Sequence, residues 1–217
     1  MKALVFLGSI RTSSPPAPPR LGERVARCLA SAAQARFDVE TVDPLDYAFG
    51  PSFKPYFAYP RGRAPEAMEK LAARIAGADA YLMVSPEYNH AMGPALADLL
   101  NHFPSSLFSF KPSLIVTYSA GQWGGTRAAV QMRSFLSELG CLPVSAMVHV
   151  PRADHVLAAD GSFEQADTAA EWQAYLGRAL AQLAWWAQAT TQMRATEDPF
   201  ATSAAFTRSP SQRNAPP

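Results

Sequence analysis

Three short runs in this chain combine side chains and backbone freedom suited to holding a polar small molecule. The first is Gly8-Ser9-Ile10-Arg11-Thr12-Ser13-Ser14. Gly8 permits a tight turn, Ser9, Thr12, Ser13 and Ser14 can donate hydroxyl hydrogen bonds, and Arg11 offers a planar positive fork suited to phosphate. No Gly-Lys-Ser/Thr follows and no G-x-G-x-x-G pattern is present, so a single terminal phosphate suits the run better than a dinucleotide pyrophosphate. An ordinary serine-rich turn with a solvated arginine would have the same composition. Pro15, Pro16, Pro18 and Pro19 lack N–H donors and delay any helix, which leaves Arg20 as a second candidate cation.

The second run is Ser85-Pro86-Glu87-Tyr88-Asn89-His90. A flat heteroaromatic ring can pack on such a Pro-Glu-Tyr backbone while backbone N–H groups meet its polar edge. A polar connection with a helix cap at Asn89 or Gly93-Pro94 fits the same letters. The third is Ser119-Ala120-Gly121-Gln122-Trp123-Gly124-Gly125-Thr126-Arg127, whose glycines let backbone approach a ligand closely or simply make a flexible turn.

The elements around these runs put all three in one place. Residues 3–7 (ALVFL) form a continuous apolar run that stops at Gly8, as expected of a strand buried on both faces. Residues 21–35 repeat apolar positions at helical spacing. A second strand is predicted over 37–42, a helix over 65–75, a third strand over 80–84 and a helix over 94–102. A fourth strand follows over 113–118, a helix over 128–139 closing at Gly140, a fifth strand over 144–150, and a long helix from 164 to about 193. Strands alternating with helices imply a parallel sheet covered on both faces. The three runs then follow strands one, three and four, at the carboxyl edge where open α/β sheets bind ligands.

Two stretches interrupt this rhythm. Residues 44–63 hold six aromatics, Tyr47, Phe49, Phe53, Tyr56, Phe57 and Tyr59, among prolines and glycines. Aromatic side chains gain free energy by burial, so this segment is expected to be ordered. It either caps its own sheet edge or walls a cleft or subunit contact. Residues 194–217 are polar, rich in Ser, Thr and Pro, and are expected to form a flexible tail after a single domain over 1–193.

Composition removes several classes. A formal net charge of +1 argues against nucleic acid as a partner. No apolar run approaches the roughly eighteen residues needed to span a membrane, and the N-terminal run is too short for a secretory signal. Cys28 and Cys141 lie in apolar segments without motif spacing, as buried thiols in a reducing cytoplasm would. The four histidines show no metal-ligand pattern.

Taken together, GSIR with its following serines, SPEYNH and SAGQWGGTR resemble the signatures of the NADPH-dependent FMN reductase family. The resemblance spans about the first 150 residues and implies a flavodoxin-like, doubly wound five-stranded parallel sheet of order 2-1-3-4-5. It also implies non-covalent FMN, with Ser9, Arg11 and Ser14 on the phosphate. Pro86, Glu87, Tyr88 and Asn89 would meet the isoalloxazine, and Ser119 and Gly121 its far edge. The expected activity is transfer of hydride from NADPH or NADH through FMN to a quinone, free flavin, azo dye or similar acceptor, in a cytoplasmic homodimer or homotetramer. A flavodoxin-type electron carrier or a non-catalytic flavin-binding protein is the alternative. No protein side chain is expected to be catalytic, because the cofactor carries the chemistry. Where relatives often carry Lys-Asn and Asp-Trp after this second run, the chain has Ala97-Asp98 and Asn101-His102, which points to altered subunit contacts.

Overall fold

The computed structural model describes residues 1–11, 20–50 and 52–201. In chain order the elements are β1 (Lys2–Leu7), α1 (Leu21–Ala33), β2 (Asp38–Val42), α2 (Glu66–Gly77), β3 (Ala80–Tyr88), β4 (Ala91–Met92), α3 (Pro94–Asn101), β5 (Pro112–Tyr118), α4 (Thr126–Glu138), β6 (Leu142–Val150), α5 (Ala153–Val156) and α6 (Ala166–Thr196). The sheet runs β2-β1-β3-β5-β6 with every neighbour parallel. Counted over those strands alone, this is the expected order 2-1-3-4-5, the flavodoxin-like arrangement. The sheet has a sixth member that the sequence reading did not foresee, β4, which turns back antiparallel on the end of β3.

Side-chain alternation along the strands feeds two cores. Val5, Leu7, Leu82, Val84, Leu114 and Val148 face α1 and α6, where Val25, Leu29, Leu180 and Leu183 cover them. Leu4, Phe6, Tyr81, Met83 and Ile115 face the other way, under Met68, Leu71, Leu96, Met132 and Leu136 of α2, α3 and α4. Burial on both faces explains why these strands read as unbroken apolar runs. Burying each such side chain contributes roughly 1.5–3 kcal/mol, so the frame behind the carboxyl edge is stiff.

The 44–63 segment divides its aromatics. Tyr47, Phe49, Tyr56 and Tyr59 pack on the α2–α3 core, and Phe49 and Phe53 flank the buried His102 ring at 4.8 and 4.7 Å. Phe53 and Phe57 stay exposed, at 59% and 56%. The segment therefore caps its own core and also presents apolar surface. At the other end of the chain, α6 continues past residue 193 to Thr196. Arg194 donates to the Phe110 carbonyl at 2.7 Å and pairs with Asp79 at 3.4 Å. The docked part of the chain thus extends beyond the boundary expected after Met193, because Arg194 finds partners more than eighty residues away in sequence. Residues 202–217 lie outside the described residues.

Candidate functional site

Strands β1, β3 and β5 are adjacent, so the segments that follow them share one edge of the sheet. Contact there is close: a side chain at Gly8 would run into the Val84 carbonyl, and one at Gly93 into the Gly8 carbonyl and the Pro86 ring. Ser85, fully buried, ties the strand end to the next helix, because its Oγ accepts from Gly93 N at 2.8 Å.

Ser9 is buried and its carbonyl accepts from Arg20 Nη1 at 2.8 Å. The Arg20 guanidinium also pairs with Asp43, just past β2. Arg20, the second candidate cation for a phosphate, is instead a buried strut between two strand ends with its charge offset by a carboxylate. Arg11 is exposed and forms no ion pair among the described residues; its N–H donates to Ser9 Oγ at 3.3 Å. Ser14, with Thr12, Ser13 and the prolines at 15, 16, 18 and 19, lies outside the described residues.

The Pro86-Glu87-Tyr88-Asn89 run is the end of β3 and the turn into β4. Asn89 (φ 51°) and His90 (φ 64°) take left-handed conformations, as a two-residue hairpin turn demands, and Asn tolerates that region better than most residues. Pro86 is buried and Tyr88 is 40% exposed. The Glu87 side chain has a structural role. Its Oε2 accepts from the N–H groups of Arg127 (3.1 Å) and Ala128 (3.3 Å), which caps the N-terminus of α4 with a negative charge. Glu87 thus fixes the second run against the third, and only its backbone remains for a ligand.

In the third run, the Ser119 hydroxyl donates to the Gly121 carbonyl (2.8 Å) and accepts from Gly124 N (3.0 Å). Its N–H goes to Val150 O and its carbonyl receives Ala153 N–H. Ser119 therefore shapes the loop rather than presenting a free hydroxyl. Gly125 has φ 79°, and a side chain there would meet Thr117 Cβ at 2.8 Å, so the loop needs glycine at this point. The Thr117 hydroxyl donates to Gly124 O at 2.8 Å, so at 2.8 Å from His149 Nδ1 it must accept. His149 consequently carries its proton on Nδ1, and burial pushes its pKa below the ordinary histidine value. Tyr118, beside Ser9, has its phenol pKa raised by burial and stays protonated.

Asn89, Gly121 and Gln122 have backbone N–H groups with no acceptor among the described residues. Ile10 (54%), Tyr88 (40%) and Trp123 (60%) expose apolar surface along the same edge. Unpaired donors, apolar flanks, a close glycine cradle and an exposed arginine make a site that fits a planar, polar-edged ring with an anionic tail. FMN has that form. Arg20's pairing, the Glu87 cap and the β4 turn escaped the sequence reading. Asn89-His90 between apolar neighbours was the available hairpin signal, whereas nothing local marks the other two.

The family model for NADPH-dependent FMN reductase matches residues 1–155. An NAD(P)H-dependent FMN reductase of Pseudomonas aeruginosa is 37% identical over 84 residues, covering 37% of this chain and 45% of that protein. The quinone reductase of Escherichia coli is 31% identical over 139 residues, covering 63% of this chain and 69% of that one. Among solved structures, the flavoenzyme NAD(P)H:(acceptor) oxidoreductase FerB of Paracoccus denitrificans superposes with a TM-score of 0.65 at 21% identity, over 84% of this chain and 96% of its own. That last likeness supports the fold. The family match covers most of the chain and spans all three segments that meet at the carboxyl edge, so the chain belongs to the NADPH-dependent FMN reductase family, which uses FMN with NAD(P)H as electron donor.

Proposed function

We propose that the chain is an oxidoreductase that binds FMN at the β1-β3-β5 edge and passes electrons from NAD(P)H to a quinone or a similar small-molecule acceptor. Bound FMN would supply the hydride acceptor and donor chemistry. The protein's part is to hold, orient and exclude. Arg11 and the Ser9 hydroxyl serve the phosphate, together with Ser14. The backbone of Pro86, Glu87, Tyr88 and Asn89 supports the ring, and the N–H groups of Gly121 and Gln122 meet its polar far edge, with Ser119 acting through the loop. The carrying observation is that the segments after β1, β3 and β5 converge at one edge of the sheet, where the N–H groups of Asn89, Gly121 and Gln122 have no acceptor among the described residues. The quinone reading leans on the likeness to the Escherichia coli quinone reductase.

Homo-oligomeric assembly and cytoplasmic residence belong to the same proposal. The exposed Leu45, Phe53 and Phe57 offer apolar surface for a second copy. Cys28 and Cys141 are buried and unbridged, with burial raising their thiols to about 11 and about 12. They are inert packing thiols, compatible with a reducing compartment. The test is direct. The purified protein, denatured, releases FMN identifiable by mass, and NADH or NADPH bleaches the bound flavin anaerobically in one two-electron step. FAD in place of FMN, or no bleaching by either nucleotide, overturns the proposal.

A further inference from the structure

A second concavity, of about 390 Å³, lies beyond the third loop where β6 ends and α6 begins. Its volume falls in the range of small-molecule pockets. Gln122, Arg152, His155, Gln165, Thr168 and Trp172 line it. It shares a wall with the proposed flavin site, since Gln122 follows Gly121 and the Gly121 carbonyl accepts from Arg152 N at 2.9 Å.

Arg152 is the unusual residue. Its backbone is left-handed (φ 45°, ψ 50°), which costs an L-residue with a side chain about 1–2 kcal/mol and would cost glycine little. The conformation is held from both sides. Its N–H is bound to Gly121, and its carbonyl accepts from His155 N (2.8 Å) and Val156 N (3.1 Å). A strained position that keeps a long cationic side chain suggests that the side chain is used. Arg152 forms no ion pair among the described residues, and it is exposed. Neither nearby carboxylate pairs with it: Asp154 lies 3.8 Å from the His155 imidazole, and Asp167 accepts from Thr168 N at 3.0 Å. Opposite stands Trp172, half-buried, its indole backed by Phe163 at 6.3 Å and 17° and braced edge-on by Tyr175. An aromatic plane held by its neighbours, one guanidinium without an ion pair among the described residues and two carboxamides suit a purine nucleoside bearing a phosphomonoester.

The geometry points to this cleft as the seat of the adenosine end of NADPH, with Trp172 bearing the purine and Arg152 the 2′-phosphate. This rests on the reductase reading above and adds to it a location and a basis for choosing NADPH over NADH. The FMN-loaded protein is titrated calorimetrically with 2′,5′-ADP, 5′-AMP and inorganic phosphate. The wild type should bind 2′,5′-ADP about tenfold or more tighter than 5′-AMP, and inorganic phosphate far more weakly than either. Arg152→Gln should abolish the preference. Arg152→Gly, which relieves the backbone, should abolish it equally while keeping or raising the melting temperature. In both variants KM for NADPH should rise about tenfold while KM for NADH stays put. Equal binding of the two nucleotides by the wild type overturns the site, as does a preference that survives in both variants. Phosphate binding as tight as 2′,5′-ADP would also overturn it, since that would leave an anion site without a nucleoside. Bleaching by NADH distinguishes the two readings. A protein that NADH bleaches but that ignores the 2′-phosphate loses this site and keeps the reductase activity. One that nothing bleaches, yet that prefers 2′,5′-ADP through Arg152, keeps the site and loses the reductase reading.

Discussion

The two edges of the sheet are built from the same strands, yet they treat polar groups in opposite ways. At the amino edge the partly or wholly buried charges of Asp79, Lys111 and Arg194 are all matched. Asp79 accepts from Lys2 N at 2.8 Å and from Thr191 Oγ1 at 3.1 Å, and it pairs with Arg194. Lys111 is buried, donates to the carbonyls of Ile75, Ala76 and Leu107 at 2.7–3.1 Å, and so closes the C-terminus of α2. Burial lowers its pKa to about 8. At the carboxyl edge, Arg11 and Arg152 have no carboxylate among the described residues, and several loop N–H groups have no acceptor. Among the described residues, three of the four non-glycine residues with positive φ, Asn89, His90 and Arg152, lie there as well. The fourth, Phe110, sits at the amino edge, where Arg194 binds its carbonyl. Matched groups hold a fold together; unmatched ones on a stiff frame are available to a ligand.

Substitutions at the two edges should therefore fail differently. Lys111→Met leaves the carbonyls of Ile75, Ala76 and Leu107 short of a charged donor and should cost about 2–4 kcal/mol of stability in denaturant unfolding. The surviving folded protein should bind FMN with unchanged affinity, and a large loss of affinity would mean the two edges are coupled. Arg11→Ala should do the reverse. FMN affinity falls roughly ten- to a hundredfold, the loss of one charge-assisted phosphate contact, while the melting temperature of the flavin-free protein holds. Unchanged affinity would place the phosphate away from Arg11. The smallest effect concerns His149 beneath the third loop. Its folded pKa lies below the unfolded value of 6.5, so the unfolded chain binds the proton first. Its contribution is fully present above pH 6.5 and is lost as pH falls from there toward the folded value. The melting temperature of wild type should drop below pH 6.5 more steeply than that of His149→Gln. Parallel curves would remove His149 from the acid response.

The sequence revealed the parallel frame because β1, β3 and β5 are buried on both faces and so read as apolar runs between turns. It revealed the three loops because glycine, proline and serine cluster after those strands. It did not reveal β4, whose two residues are too few for any periodicity. Nor did it reveal the carboxylate that neutralises Arg20, which stands 23 residues away, or the helix that the Glu87 side chain caps, 40 residues on. Arg20 and Glu87 are charged groups whose role is set by a tertiary neighbour, and composition cannot separate a cation on a ligand from one already paired. Arg194, in the polar segment expected to form a tail, likewise takes its partners, Asp79 and the Phe110 carbonyl, from distant parts of the chain.

Amide hydrogen exchange on the flavin-free protein, with and without added FMN, compares the two edges in one experiment. FMN should slow exchange at residues 9–11, 86–90 and 119–125, with Asn89, Gly121 and Gln122 among the most affected. Residues 79–80, 110–112 and 191–197 at the amino edge should exchange as before. Protection confined to the amino edge, or no protection of the 86–90 and 119–125 segments at saturating FMN, would contradict it.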